Sequence, residues 1–154
     1  AGQSKETQNF SEKRILLVED EADISEIFTR VLSREPLNHH VDIAPDFESA
    51  AALFEKNKYD FISLDYMLPG KLTGMDLYKH VRKIKPSIPV LFVSGNFAFI
   101  ESIKELKQKD AYIDHISKPC QNKDYLDRVN QLLGKAPPKS SSFAFEPDRT
   151  SGEI

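Results

Sequence analysis

Five short apolar runs recur along the chain at similar intervals: ILLV at Ile15 to Val18, VDIA at Val41 to Ala44, FISL at Phe61 to Leu64, VLFV at Val90 to Val93 and IDHI at Ile113 to Ile116. Their length and their β-branched or aromatic content predict strands, and runs this continuously apolar predict strands covered on both faces. Segments with helical spacing lie between them. Ile24, Ile27, Phe28, Val31 and Leu32 form one stripe, and Tyr125, Leu126, Val129, Leu132 and Leu133 form another near the end. Ala50, Leu53 and Phe54 follow Asp46, a natural N-cap; Leu77, Val81 and Ile84 follow Thr73, with Asp76 three residues on as in a capping box. Phe99, Ile103 and Leu106 mark a helix over 97–109. Strand alternating with helix five times predicts an α/β fold: a doubly wound, five-stranded parallel sheet with helices on both faces, since parallel neighbours need crossover connections.

The ends of the chain break this pattern. Residues 1–13 are polar and aperiodic, and residues 135–154 are rich in Pro, Ser and charge, so both read as tails around a domain spanning 14–134. Within the second tail, Phe143 and Phe145 in FAFEPD are unusual for a bare linker and leave a docking or dimer-bridging arm as the other reading. A length of 154 residues suits one domain with a real core. The formal net charge of −3 favours neither nucleic acid nor a membrane surface, and no basic recognition helix is visible. Cys120 is the only cysteine, which excludes an internal disulfide and fits a reducing, cytoplasmic setting; His residues at ligand spacing for zinc are lacking. No run is long enough to span a membrane, and the start of the chain has no apolar signal core.

The chemistry collects where the strands end. In such sheets ligands bind at the carboxyl edge, where the strand order reverses. The first strand ends in Glu19-Asp20, the third in Asp65, the fourth in Ser94-Gly95, and the fifth is followed by Lys118-Pro119. Three acids, a hydroxyl and an amine thus converge. Crowded carboxylates repel one another and call for a cation, and an oxygen-only donor set suits Mg²⁺ better than zinc or copper. An ionised Asp65 beside Mg²⁺, Lys118 and Ser94 is equipped as a nucleophile toward a phosphoryl group.

The segments RILLVEDE, DFISLDYMLPG, VLFVSG and ISKP, in this order, resemble the receiver domain of two-component response regulators, the family that includes single-domain chemotaxis regulators; the match runs from about Arg14 to Gly134. The resemblance implies a flavodoxin-like receiver fold in which Asp65 accepts a phosphoryl group from a histidine kinase or phosphotransfer protein. It implies that Asp20, Asp65 and the backbone carbonyl of Met67 hold Mg²⁺, with Glu19 acting through water. Ser94 and Lys118 would bind the phosphoryl oxygens, as would the backbone amides of Met67 and Gly95, and the Lys118-Pro119 peptide would be cis. Ser94 and His115 would form the switch, with output to a protein target or a second copy through the face of the fourth helix, fifth strand and fifth helix. Direct nucleic-acid or membrane contact is not expected. The chain reads as a stand-alone phosphorelay switch, and not as an enzyme acting on external substrates.

Several residues depart from the family pattern or carry other readings. Glu19 stands where Asp is more frequent, and His115 where Tyr or Phe is common, which adds a group that titrates near neutral pH. The expected glycine falls at Gly74, one place late, so the loop GKLTG holds an extra residue. Met67 and Asn96 tune dephosphorylation or are simply loop residues. His39 and His40 read as solvent-facing, and Cys120 as packing. A carboxylate-nucleophile phosphohydrolase would carry an acid where Met67 stands, and a flavin protein a Ser/Thr-rich loop after the first strand. A phosphorylation-independent scaffold would lack one of the acids or the lysine, and a relay intermediate fits every residue named.

Overall fold

The computed structural model describes residues 11–136. Five strands and five helices alternate: β1 (Arg14–Val18), α1 (Ala22–Ser33), β2 (His40–Ala44), α2 (Phe47–Lys56), β3 (Phe61–Asp65), α3 (Gly74–Ile84), β4 (Val90–Ser94), α4 (Phe97–Lys107), β5 (Ile113–Ser117) and α5 (Asn122–Lys135). As the alternation predicts, the strands form one parallel sheet; their order across it is β2-β1-β3-β4-β5. Because side chains alternate across a strand, the sheet sorts its apolar residues into two cores. Leu16, Val18, Leu64 and Phe92 face α2, α3 and α4, whereas Ile15, Leu17, Leu91 and Val93 face α1 and α5. Full burial of each such side chain is worth ~1.5–3 kcal/mol before entropy is counted.

Cover on both faces holds for β3 and β4 throughout, and for β1 after its first residue. It does not hold for the edges. In β2, His40 and Ile43 are exposed and only Ala44 is buried, and in β5 Asp114 and His115 are half-buried. An edge strand has a neighbour on one side only, and its helices overhang the sheet centre. Asp42, polar within the β2 run, is held by Arg14 at 3.0 Å and by the hydroxyl of Tyr59 at 2.7 Å.

The helix starts follow the capping chemistry. Asp46 accepts the Ser49 N–H at 2.8 Å, and Thr73 and Asp76 form a reciprocal capping box at α3. The stripes are wider than the buried faces: Ile27 is 42% and Ile84 52% exposed, while Tyr78, outside the predicted stripe, is buried. On the other face, Tyr125 stacks on Phe28 with ring centroids 3.8 Å apart and donates its hydroxyl proton to Ser63 at 2.8 Å, pairing the polar residue inside β3. Behind α3, the Arg82 guanidinium grips Asp110 at 2.7 Å, and the Tyr78 hydroxyl donates to the same carboxylate.

His39 corrects the sequence reading. It is 3% exposed: its N–H donates to the Leu32 carbonyl and its Nδ1 accepts the Lys13 N–H at 3.0 Å. Burial disfavours the charged ring and, with Lys13 nearby, lowers its pKa to about 4. His40 is exposed as expected, 3.3 Å from Asp42. Phe143 and Phe145 lie outside the described residues.

Candidate functional site

Strand order brings the chemistry together. β1 and β3 are neighbours at the centre of the sheet, so Glu19 and Asp20, just past β1, stand beside Asp65 at the end of β3. Carboxylate oxygens of Glu19, Asp20 and Asp65 lie within 4.8 Å of one another. β4 and β5 follow on the other side, placing Ser94 at the end of β4 and Lys118 just beyond Ser117, its register partner. The Lys118 ammonium sits 3.0 Å from Glu19 and 3.3 Å from Asp65. The Lys118-Pro119 peptide is cis.

Glu19 and Asp65 are buried and Asp20 is exposed. Burial and the charge of Asp65 push the Glu19 pKa up to about 7, outweighing its hydrogen bonds from Lys118 and the Glu21 N–H. For Lys118, burial works against the charged form, but the hydrogen bond to Glu19 and the charge of Asp65 prevail and hold its pKa above the ordinary value. One ammonium therefore leaves excess negative charge among three carboxylates. An all-oxygen donor set with unrelieved repulsion is what a hard divalent cation such as Mg²⁺ fits.

Ser94 is buried, and its hydroxyl oxygen accepts the Asn96 N–H at 3.0 Å. Asn96 in turn caps α4, its side-chain oxygen accepting from Ala98 at 2.9 Å and Phe99 at 3.3 Å. Sequence reasoning left Asn96 as a loop residue or a tuner of dephosphorylation; the usable signal was an Asn directly before an apolar helical stripe. His115, opposite Phe92 in the register, is half-buried, and its Nδ1 lies 3.8 Å from the Asp114 carboxylate. Burial, with Lys107, Arg128 and Lys104 around it, lowers its pKa despite Asp114. Asp114 is itself claimed by Lys107 at 2.8 Å and Arg128 at 3.6 Å.

The loop after β3 is closed on itself. The Met67 N–H donates to the Asp65 carboxylate at 3.2 Å, and the Gly74 N–H to the Tyr66 carbonyl at 2.8 Å. The Met67 side chain is exposed. The Tyr66 ring stacks on Phe99 of α4, centroids 3.5 Å apart. Gly95 borders the Lys118 backbone. On the α1 side, a groove of about 380 Å³ opens beside Lys118, walled by Ile24, Ile27, Phe28, Pro119 and Cys120. Burial pushes the Cys120 thiol pKa up, in keeping with a packing role. Among the described residues no helix is long and apolar enough to cross a membrane.

The family described as response regulator receiver domain matches residues 15–130. The uncharacterized transcriptional regulatory protein YcbL of Bacillus subtilis (strain 168) is 36% identical over 121 residues, covering 79% of this chain and 51% of its own length. The alkaline phosphatase synthesis transcriptional regulatory protein PhoP of the same organism is 30% identical over 142 residues, covering 92% and 57%. The chain spans about half the length of the curated relatives it matches. Among solved structures, the receiver domain of Francisella response regulator 1452 superposes with a TM-score of 0.68 at 27% identity, covering 80% of this chain and 98% of that one. A CheY-like receiver domain protein from Methanospirillum hungatei JF-1 gives 0.70 at 27% identity, covering 81% and 96%.

Proposed function

Because this chain belongs to the response regulator receiver domain family of two-component signalling, we propose that Asp65 is the phosphoryl acceptor of a switch charged by a histidine kinase or phosphotransfer protein. The observation that carries this reading is the meeting of three carboxylates with Lys118 at the carboxyl edge of the sheet. A carboxylate oxygen of Asp65 attacks phosphorus; the O–P bond forms as the P–N bond to the donor's imidazole breaks, and the electron pair leaves with that nitrogen. Lys118 already touches Asp65 and is placed to pair with the phosphoryl oxygens. The backbone amides of Met67, which already donates to Asp65, and of Gly95, which follows Ser94, are the candidate donors to those oxygens. Glu19, Asp20, Asp65 and the Met67 carbonyl would hold Mg²⁺, which when bound supplies the charge that offsets repulsion between carboxylate and phosphoryl oxygens.

Output follows from Ser94. Turning its hydroxyl toward a phosphoryl group takes the acceptor away from the Asn96 N–H, and Asn96 caps α4. His115 lies on the adjoining strand, so α4, β5 and α5 form the responding face for a protein target or a second copy. Shifting such an equilibrium from 1:99 to 99:1 takes ~5.5 kcal/mol. Two or three charge-assisted hydrogen bonds at ~1.5–3 kcal/mol each supply that.

The test is the intact mass of the protein after incubation with acetyl phosphate. One phosphoryl adduct is expected with Mg²⁺, and none without the metal or in Asp65→Asn. An adduct that persists in Asp65→Asn, or none in the wild type, would overturn the assignment.

A further inference from the structure

A methyl group at residue 74 would have no room. A Cβ built there would sit 2.5 Å from the Asp65 carbonyl oxygen, 2.8 Å from the Tyr66 Cα and 3.2 Å from the Asp65 carbonyl carbon. All three atoms are backbone, so no flexible side chain can swing away to make space. The first residue of α3 thus rests directly on the peptide that joins the acceptor to the loop, and the Gly74 N–H is bonded to the other end of that contact, the Tyr66 carbonyl.

Neither partner is free to retreat. β3 is buried along its whole length and ends at Asp65, and Tyr66 is tied by its N–H to the Val93 carbonyl. On the other side, α3 is seated by the fully buried Leu77 and Val81, and its start is fixed by the capping box of Thr73 and Asp76. A side chain inserted between two seated elements strains both, and on the β3 side the strain falls on the 65–66 peptide and passes to Met67, whose N–H is bonded to the Asp65 carboxylate.

We propose that Gly74 is a positioning residue for phosphoryl transfer: its bare Cα lets α3 press on the Asp65–Tyr66 peptide and so fixes the aim of the Asp65 carboxylate and the Met67 backbone. This rests on Asp65 being the acceptor. Displacing a nucleophile by about 1 Å can slow a reaction ~100-fold, so the effect belongs in the maximal rate and not in the affinity for the small donor.

Gly70 supplies the matched control. It lies in the same loop with φ of +93°, where alanine is strained, yet nothing approaches within 4 Å of its missing side chain. Both alanine substitutions burden the loop; only one touches the acceptor.

The experiment follows phosphorylation of the full chain by acetyl phosphate and Mg²⁺ by intact mass, over a range of donor concentrations, for the wild type, Gly70→Ala and Gly74→Ala. All are assayed in trimethylamine N-oxide, which favours the compact state, with circular dichroism recorded on the same samples. Expected is a maximal rate ten- to a hundredfold lower for Gly74→Ala with little change in half-saturating donor, and Gly70→Ala within about twofold of wild type. Wild-type rates in Gly74→Ala, an equal loss in both variants, or failure of Gly74→Ala to fold even in the osmolyte would each overturn the positioning role. No adduct on the wild type itself would instead remove the acceptor assignment beneath it.

Discussion

Lowering the pH should draw stability out of this protein through His39. The ring is buried, and its pKa falls from the ordinary 6.5 to about 4. The unfolded chain therefore takes up the proton first as pH falls, and the folded state follows only near pH 4. Between those values the unfolded state holds more protons, so stability rises with pH and is lost on acidification. At ~1.4 kcal/mol per pH unit over that window, the loss from this one side chain is about 3 kcal/mol. His39→Asn keeps an acceptor for the Lys13 N–H but has nothing to titrate. Urea unfolding of both proteins at a series of pH values from 7.5 to 4 gives two curves whose difference isolates His39. Glu19, raised to about 7, acts in the opposite sense, gaining its proton earlier in the folded state, but it does so in both proteins and cancels. The wild type should lose about 3 kcal/mol more than the variant across the window, most of it below pH 6. Parallel curves would refute the idea that a neutral, desolvated imidazole is built into the fold.

Three further outcomes are expected. Tyr125→Phe should cost about 1–2 kcal/mol by leaving Ser63 unpaired inside β3, and adding Ser63→Ala should recover part of it; strictly additive costs in urea melts would count against the pairing. Arg82→Ala should cost about 3 kcal/mol or more, because it strands the nearly buried Asp110 carboxylate, and a loss under ~1 kcal/mol would show that water relieves that charge. Asn96→Ala should cost about 1 kcal/mol and speed hydrogen exchange in the first turn of α4 while leaving β1 and β3 unchanged.

The strands were legible because each is a compact apolar run closed by polar residues, and their parallel order made their carboxyl ends the place to look for chemistry. That reasoning pointed to Glu19, Asp20, Asp65, Ser94 and Lys118 before any coordinates; the three carboxylates and the Lys118 ammonium lie together at that edge, and the Ser94 carbonyl accepts the Lys118 N–H. What escaped depends on distant partners. His39 reads as polar beside His40, and only the closing of residues 13, 32 and 39 on one another buries it. The Arg82, Asp110 and Tyr78 cluster joins residues some thirty positions apart with no local pattern to announce it. Ile27 and Ile84 show the converse: spacing marks an apolar stripe, but the width of what covers it is set by the neighbouring elements. The position of Gly74 was noticed, whereas its contact with the Asp65–Tyr66 peptide needs three-dimensional packing to be seen.

The stack of Tyr66 on Phe99 offers an optical handle. The chain has five tyrosines and no tryptophan, so Tyr66→Trp would install a lone indole one residue from Asp65 and in face contact with α4. Its emission would be collected free of any other indole, and charge arriving on Asp65 or movement of Phe99 would each alter its intensity or colour. Events at the carboxylate could then be timed in a stopped-flow instrument, on the millisecond scale, without isotope or quench.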